Sequence, residues 1–196
     1  MKWLAMRPAV RSDAVAISDL WTAASEWLRD SGSDQWQYPP NQGKISSDIE
    51  DGITFVAVSN FVDMASPVLA TITLDSTGDP EFWDPSDRPE TALYLRRMIT
   101  APVVRGHDVG AALLDWAGGR AVGLGRGEVR LDAWKANKAL HAYYRRQRFK
   151  QLPTVELAHR RSGARFARPA NVRTFRGPHV YDVEHPSTDA DGRGAA

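Results

Sequence analysis

The residues best placed to do chemistry in this chain lie between Met98 and Ala121, which read MITAPVVRGHDVGAALLDWAGGRA. An extended segment runs through Pro102 into Arg105-Gly106, and an apolar helix begins near Gly110. The first N–H groups of a helix have no intrahelical acceptor, and the helix dipole favours negative charge beside them. A strand, a glycine turn and a helix N-terminus in that order make an anion cradle. This stretch is therefore expected to seat a phosphate-bearing cofactor. Asp108 stands in the turn and opposes that reading, because a carboxylate repels a pyrophosphate unless it turns to solvent or pairs with Arg105. Asp does tolerate the turn dihedrals that otherwise suit glycine.

Composition removes several other chemistries. The chain has no Cys, which excludes disulfides, thiolate catalysis and zinc-thiolate sites together. His107, His141, His159, His179 and His185 show no metal-ligand spacing, so no metal site is expected. The formal net charge is +1, too small to draw the whole chain to nucleic acid or membrane. The run Arg160, Arg161, Arg165, Arg168, Arg173 and Arg176 is a local basic segment. It reads as a solvated face, with cofactor phosphates, an acidic acceptor or RNA as the sharper alternatives. The N-terminus lacks the pattern of a signal peptide, and no apolar run approaches the roughly 20 residues of a membrane span. A cytoplasmic placement is the resulting expectation.

The elements that must hold the cradle follow from periodicity and punctuation. The 196 residues fit a single domain over 1–185, with 186–196, small and polar, as a mobile tail. Trp3 to Met6 reads as a first strand. Ile17, Leu20, Trp21, Ala24, Trp27 and Leu28 then share one helical face, ended by Gly32. Residues 34–40 form an aromatic, proline-stiffened loop, and Ile45 and Ile49 mark a short helix. Thr54 to Asn60 and Val68 to Leu74 read as antiparallel strands. A turn-rich loop, 76–90, leads to a strand over Thr91 to Thr100. After the Gly110 helix come a strand over Glu128 to Trp134 and a helix from Asn137, a residue suited to capping it. Val155 to Ala158 and Val180 to Val183 are candidate late strands. Strands followed by helices lie parallel and adjacent, while those joined by short connections are antiparallel. The expected fold class is α/β (α+β), a mixed and mostly antiparallel sheet with helices on both faces.

Two motifs then stand out. Arg105-Gly106-His107-Asp108-Val109-Gly110 keeps the Arg and final Gly of a pattern that reads Gln or Arg, two variable residues, Gly, one variable residue, then Gly or Ala. Asp108 takes the place of the middle Gly. Asn137 to Phe149 looks like an Asn-containing helix that ends in Tyr, three residues, Gly, Phe, with Arg148 in place of that Gly. On these motifs, at their expected separation, the chain resembles the GNAT superfamily of acetyl-CoA-dependent N-acetyltransferases over roughly residues 3 to 152.

The resemblance implies acetyl-CoA as co-substrate and a parallel strand pair that splays into a V. It implies that the backbone of Met98, Ile99 and Thr100 pairs with the pantetheine arm. The turn from Arg105 through Gly106, His107, Asp108, Val109, Gly110 and Ala111 would hold the pyrophosphate, and Asn137 would touch the arm. Tyr144 would be the general acid, with Tyr143 as packing. Acetyl transfer needs a neutral amine, an aligned thioester, a stabilised oxyanion and a proton for the thiolate. No covalent enzyme intermediate is required, in keeping with the absence of Cys.

Acceptor residues are read from strand alternation and aromatic content. Arg130, Asp132 and Trp134 share one strand face, and Asp132 is a candidate to orient or deprotonate the amine. A rim carboxylate paired with an Arg is the alternative. Trp36, Trp83, Tyr94, Arg96 and Trp134 are candidates for the acceptor wall, aromatics with a few polar groups being normal pocket linings. The same aromatics would serve equally as satellite core. The expected reaction is acetylation of a primary amine on a small molecule in a ternary complex. A protein or peptide amine, or a non-catalytic acyl-CoA-binding or interaction module, remains open, as does a homodimer.

Overall fold

The computed structural model describes residues 1–59 and 66–183, so Asn60 and the 186–196 tail lie outside the described residues. In chain order the elements are β1 (Trp3–Pro8), α1 (Ala14–Asp30), α2 (Gln42–Glu50), β2 (Thr54–Val58), β3 (Val68–Asp75) and β4 (Ala92–Thr100). They continue with α3 (Val109–Gly123), β5 (Glu128–Trp134), α4 (Lys138–Arg146), β6 (Lys150–Gln151), β7 (Ser162–Pro169) and β8 (His179–Asp182). One sheet holds all eight strands in the order β6-β7-β5-β4-β3-β2-β1-β8. Its pairs are antiparallel except β4 with β5 and β1 with β8. The mixed, mostly antiparallel sheet expected from the sequence is the one observed.

Neighbouring residues of β2 show why helices cover both faces. Phe55 meets Trp116 of α3 edge-on at 5.1 Å. Val56, pointing the other way, packs with Ile17 of α1 and with Ile45 and Ile49 of α2. A strand apolar on both sides can bury both only between two layers. Among the described residues no helix is long and apolar enough to cross a membrane.

The feature that matters for function is where β4 and β5 part. They are hydrogen-bonded only from Ala92 with Glu128 to Tyr94 with Arg130. Beyond that point β4 stays with β3, up to Thr100 opposite Ala70, while β5 stays with β7 up to Trp134 opposite Ser162. Arg97 sits at φ +45° where the β3–β4 register shifts. A bulge bends its strand and increases the local twist, and here it leaves a V between the two strands.

The second half of the chain departs from the sequence reading. Val155 to Ala158 is not a strand, and two arginines of the basic run, Arg165 and Arg168, lie on strand β7. Arg168 on that strand is fully buried. Its guanidinium donates to Asp115 Oδ1 at 3.1 Å and lies 4.8 Å over the Phe149 ring. A charge is carried inside only when it is paired, and the partner comes from a helix 53 residues away in sequence. Asp115 also accepts from the N–H groups of Thr174 and Phe175. It thereby straps the connection to β8 across α3.

Candidate active site

The V opens into a cleft of about 750 Å³ between the β4 and β5 walls, α1, the 34–38 loop, the start of α3 and one side of α4. Met98, Ile99 and Thr100 line it on the β4 side. The Ala101 N–H donates to Leu69 C=O on β3 at 2.8 Å. By strand alternation the Met98 and Thr100 amides therefore face the gap left by β5.

At the end of β4 the chain turns through residues 105–108 into α3. The N–H groups of Gly106, Asp108, Val109, Gly110 and Ala111 have no acceptor among the described residues. Arg105, Gly106, Asp108, Val109 and Gly110 line the cleft, whereas Ala111 turns its side chain into the core and His107 points outward. A Cβ on Gly110 would come within 2.6 Å of the Tyr143 hydroxyl, so this position needs glycine for space. The Arg105 guanidinium lies 4.8 Å over the Trp27 ring, away from Asp108. Asp108 pairs with Arg176 of the strap, Oδ2 to Nη2 at 3.1 Å.

On α4, Asn137 Oδ1 accepts from the Leu140 N–H at 2.9 Å and caps the helix. Its Nδ2 donates to Gln35 Oε1 at 2.7 Å. The residue lines the cleft while tying the aromatic loop to α4. Tyr144 is buried against Phe149 and Phe166, with ring centroids 5.7 and 5.4 Å away. Its hydroxyl has no hydrogen-bond partner among the described residues. Burial pushes the phenol well above its ordinary value, so it is protonated at neutral pH. Tyr143 also lines the cleft, and burial, aided by Asp108, raises it to about 12.

Across the cleft, on β5, Asp132 is largely desolvated, and this raises its carboxyl above the usual carboxylate range. The Ser162 hydroxyl bonds to it, and no cation among the described residues is within ion-pair distance. Trp36 stacks on Trp21 at 4.7 Å, and Trp134 Nε1–H donates to Asp34 at 2.7 Å. Arg96 reaches Asp75 at 3.3 Å and the Thr77 carbonyl at 3.0 Å.

Solved structures with this architecture include a GNAT family acetyltransferase of Listeria monocytogenes. It has a TM-score of 0.68 at 20% identity, over 84% of this chain and 93% of that one. The PaiA N-acetyltransferase of Thermoplasma acidophilum, solved in complex with coenzyme A, has a TM-score of 0.61 at 14% identity, over 85% and 98% of the two chains. No family model matches. In sequence the chain is 32% identical over 142 residues to the uncharacterized N-acetyltransferase YesJ of Bacillus subtilis, spanning 71% of this chain and 77% of YesJ. The chain belongs to the GNAT superfamily of N-acetyltransferases.

Within the GNAT pattern the two departures have a common backbone cause. Asp108, at the middle Gly position, has φ +53°, and Arg148, at the second Gly position, has φ +66°. Both are left-handed, the region glycine enters without cost. The chain keeps the glycine conformation at both places without the glycine.

Two residues expected at the acceptor wall lie outside the cleft. Trp83 and Tyr94 are buried with Phe82 and Ala92 in a separate cluster. Tyr94 Oη donates to the Pro89 carbonyl at 3.1 Å, and Arg130 and Arg165 lie 5.2 and 5.1 Å from the Trp83 ring. The physical reason is register. At Tyr94 and Arg130 the parallel strands are still paired, so there is no gap for these side chains to line. Alternation correctly places Tyr94 with Arg96, and Arg130 with Asp132, on shared faces, but only the later member of each pair is past the fork.

Sequence reasoning did not name Lys44, Asp79, Arg97 or Ser162, and it read Tyr143 as packing and Arg160 as part of a solvated face; all six line the cleft. For Tyr143 the signal was present. It lies two turns past the Asn137 cap, on a helix whose other tyrosine was already singled out.

Proposed function

We propose that this chain transfers the acetyl group of acetyl-CoA to a primary amine of a small molecule by direct attack in a ternary complex. One observation carries the reading. Among the described residues, a single cleft holds acceptorless amides, a buried phenol whose hydroxyl has no hydrogen-bond partner, and a desolvated carboxylate with no cation within ion-pair distance.

These residues fit the donor. The free amides from Gly106 to Ala111 match the demand of a diphosphate for several N–H donors at a helix N-terminus. The Met98 and Thr100 amides offer a strand edge to an amide-bearing arm. Acetyl-CoA supplies an activated thioester. Once neutral, the amine nitrogen attacks the carbonyl carbon, the C–N bond forms, the C–S bond breaks, and the nitrogen's second proton leaves with the departing sulfur to give the free thiol. Asp132 holds the incoming ammonium and takes its proton, a task helped by a carboxyl whose affinity for protons is raised. Tyr144 donates a hydrogen bond to the departing sulfur as charge develops there. Its tightly held proton makes complete transfer uphill, so its part is stabilisation of the thiolate.

Release of free thiol from acetyl-CoA, measured across a panel of primary amines, tests the reading. Amine-dependent release is expected. Tight acetyl-CoA binding with no release from any amine would leave an acyl-CoA-binding module in its place.

A further inference from the structure

The acceptor end of the cleft carries charges of both signs, and most of them cancel in pairs. Arg160 reaches Asp79 at 2.6 Å and also pairs with Glu81. Arg96 is held by Asp75. One guanidinium on two carboxylates leaves a unit of negative charge at Arg160, and two further charges are unbalanced. Asp132 has no cation within ion-pair distance among the described residues, and Arg160 and Arg96 act on it only through space. On the β4 side, Lys44 and Arg97 both pair with one carboxylate, the buried Asp48, with Lys44 Nζ at 2.7 Å from Oδ1. Two cations on one anion leave a unit of positive charge, and both cations line the cleft. Arg97 is half-buried, and its guanidinium is held by the pair with Asp48.

An unbalanced charge at a partly desolvated site is costly unless a ligand completes it. The complementary ligand has an ammonium for Asp132 and an anionic group for the Lys44–Arg97 corner. Its apolar body would lie against the stacked Trp21 and Trp36 rings. We infer that the acceptor is a zwitterionic amine, a small molecule that carries a carboxylate or comparable anion besides the amine that is acetylated. This rests on the acetyl-transfer reading above and narrows it to a substrate class. The anion also fixes orientation, since a ligand entering the other way would set like charges together at both ends.

The test compares amines that differ only in the anion. L-Leucine and 5-aminopentanoate, one with the anion close to the amine and one with it distant, are assayed beside 3-methylbutylamine and pentylamine by thiol release. At least one zwitterion is expected to exceed its uncharged counterpart by about tenfold or more in kcat/KM, the worth of one charged contact of about 1.4 kcal/mol. Which of the two wins reports the span between Asp132 and the cationic corner. Lys44→Met is expected to reduce that ratio and Lys44→Arg to restore it, with acetyl-CoA affinity unchanged as the check on folding. Turnover of the uncharged amines equal to or better than the zwitterions overturns the inference and leaves acetyl transfer standing. No thiol release with any of the four, in the presence of bound acetyl-CoA, overturns acetyl transfer and this inference with it.

Discussion

The two halves of the cleft are built on different principles. The half assigned to the donor is made almost wholly of backbone: amides of Met98 and Thr100 on a strand edge, and five acceptorless N–H groups from Gly106 to Ala111. The half assigned to the acceptor is made of side chains. Trp36 comes from a loop, Lys44 from α2, Arg97 from β4, Asp132 from β5 and Ser162 from the start of β7. A backbone site needs only a local conformation and tolerates changes of side chain, as Asp108 and Arg148 demonstrate at glycine-like φ. A side-chain site can be retuned by single substitutions without disturbing the other half. Donor and acceptor recognition should therefore separate under mutation.

The sharpest test of that separation is Asp132→Asn. With the proposed base removed, kcat/KM is expected to fall on the order of 10²–10⁴-fold, with the Kd for acetyl-CoA by calorimetry unchanged. A parallel loss of acetyl-CoA affinity would show that the halves are not independent. Tyr144→Phe comes next, with a fall in kcat of about a hundredfold and the same unchanged Kd. Full turnover in this variant would remove Tyr144 from the chemistry.

A substitution in the donor half should do the reverse. Gly110→Ala places a Cβ against the Tyr143 hydroxyl and is expected to weaken acetyl-CoA about tenfold, an effect of about 1.4 kcal/mol. Tyr143→Phe in the same background should recover part of it. The smallest effect is expected from Asp108→Gly, which relieves a left-handed Asp and frees Arg176 for the phosphates. An exposed ion pair contributes little, so affinity should rise a few-fold. Unchanged or weaker binding would rule out Asp108 as a source of repulsion.

The pH dependence belongs to the acceptor half alone. Asp132 must be deprotonated to act as base, and desolvation raises its pKa above the ordinary value of about 3.9. Activity is therefore gained as pH rises through that raised value and lost as pH falls through it. The acid limb of kcat/KM should lie above the usual carboxylate range and vanish in Asp132→Asn.

Legibility in the sequence followed the same division. Strand, turn and helix from Met98 to Ala111 could be read because they are contiguous and a hydrogen-bond deficit is a property of any helix start. The tyrosine helix was readable for the same reason, with Asn137 as its cap. Tyr94 was misplaced because alternation tells which face a side chain takes, but not how far along two strands their pairing runs, and Trp83, on a loop, because aromatic content suits a buried cluster as well as a pocket wall. The basic run was misread because Arg168 is buried with partners distant in sequence, Asp115 and the Leu114 carbonyl on α3 and the Gln147 carbonyl after α4.

By itself, then, the sequence determined the order of elements as far as the helix that carries Tyr144, the mixed sheet, and the strand, turn and helix start from Met98 to Ala111. Each of these depends on interactions among neighbours a few residues apart. Only the tertiary structure decided where β4 and β5 part, that Arg176 rather than Arg105 meets Asp108, and which charges at the acceptor end remain unpaired. Those outcomes depend on side chains brought together from distant segments, where packing and the cost of burying an unpaired charge choose the partners.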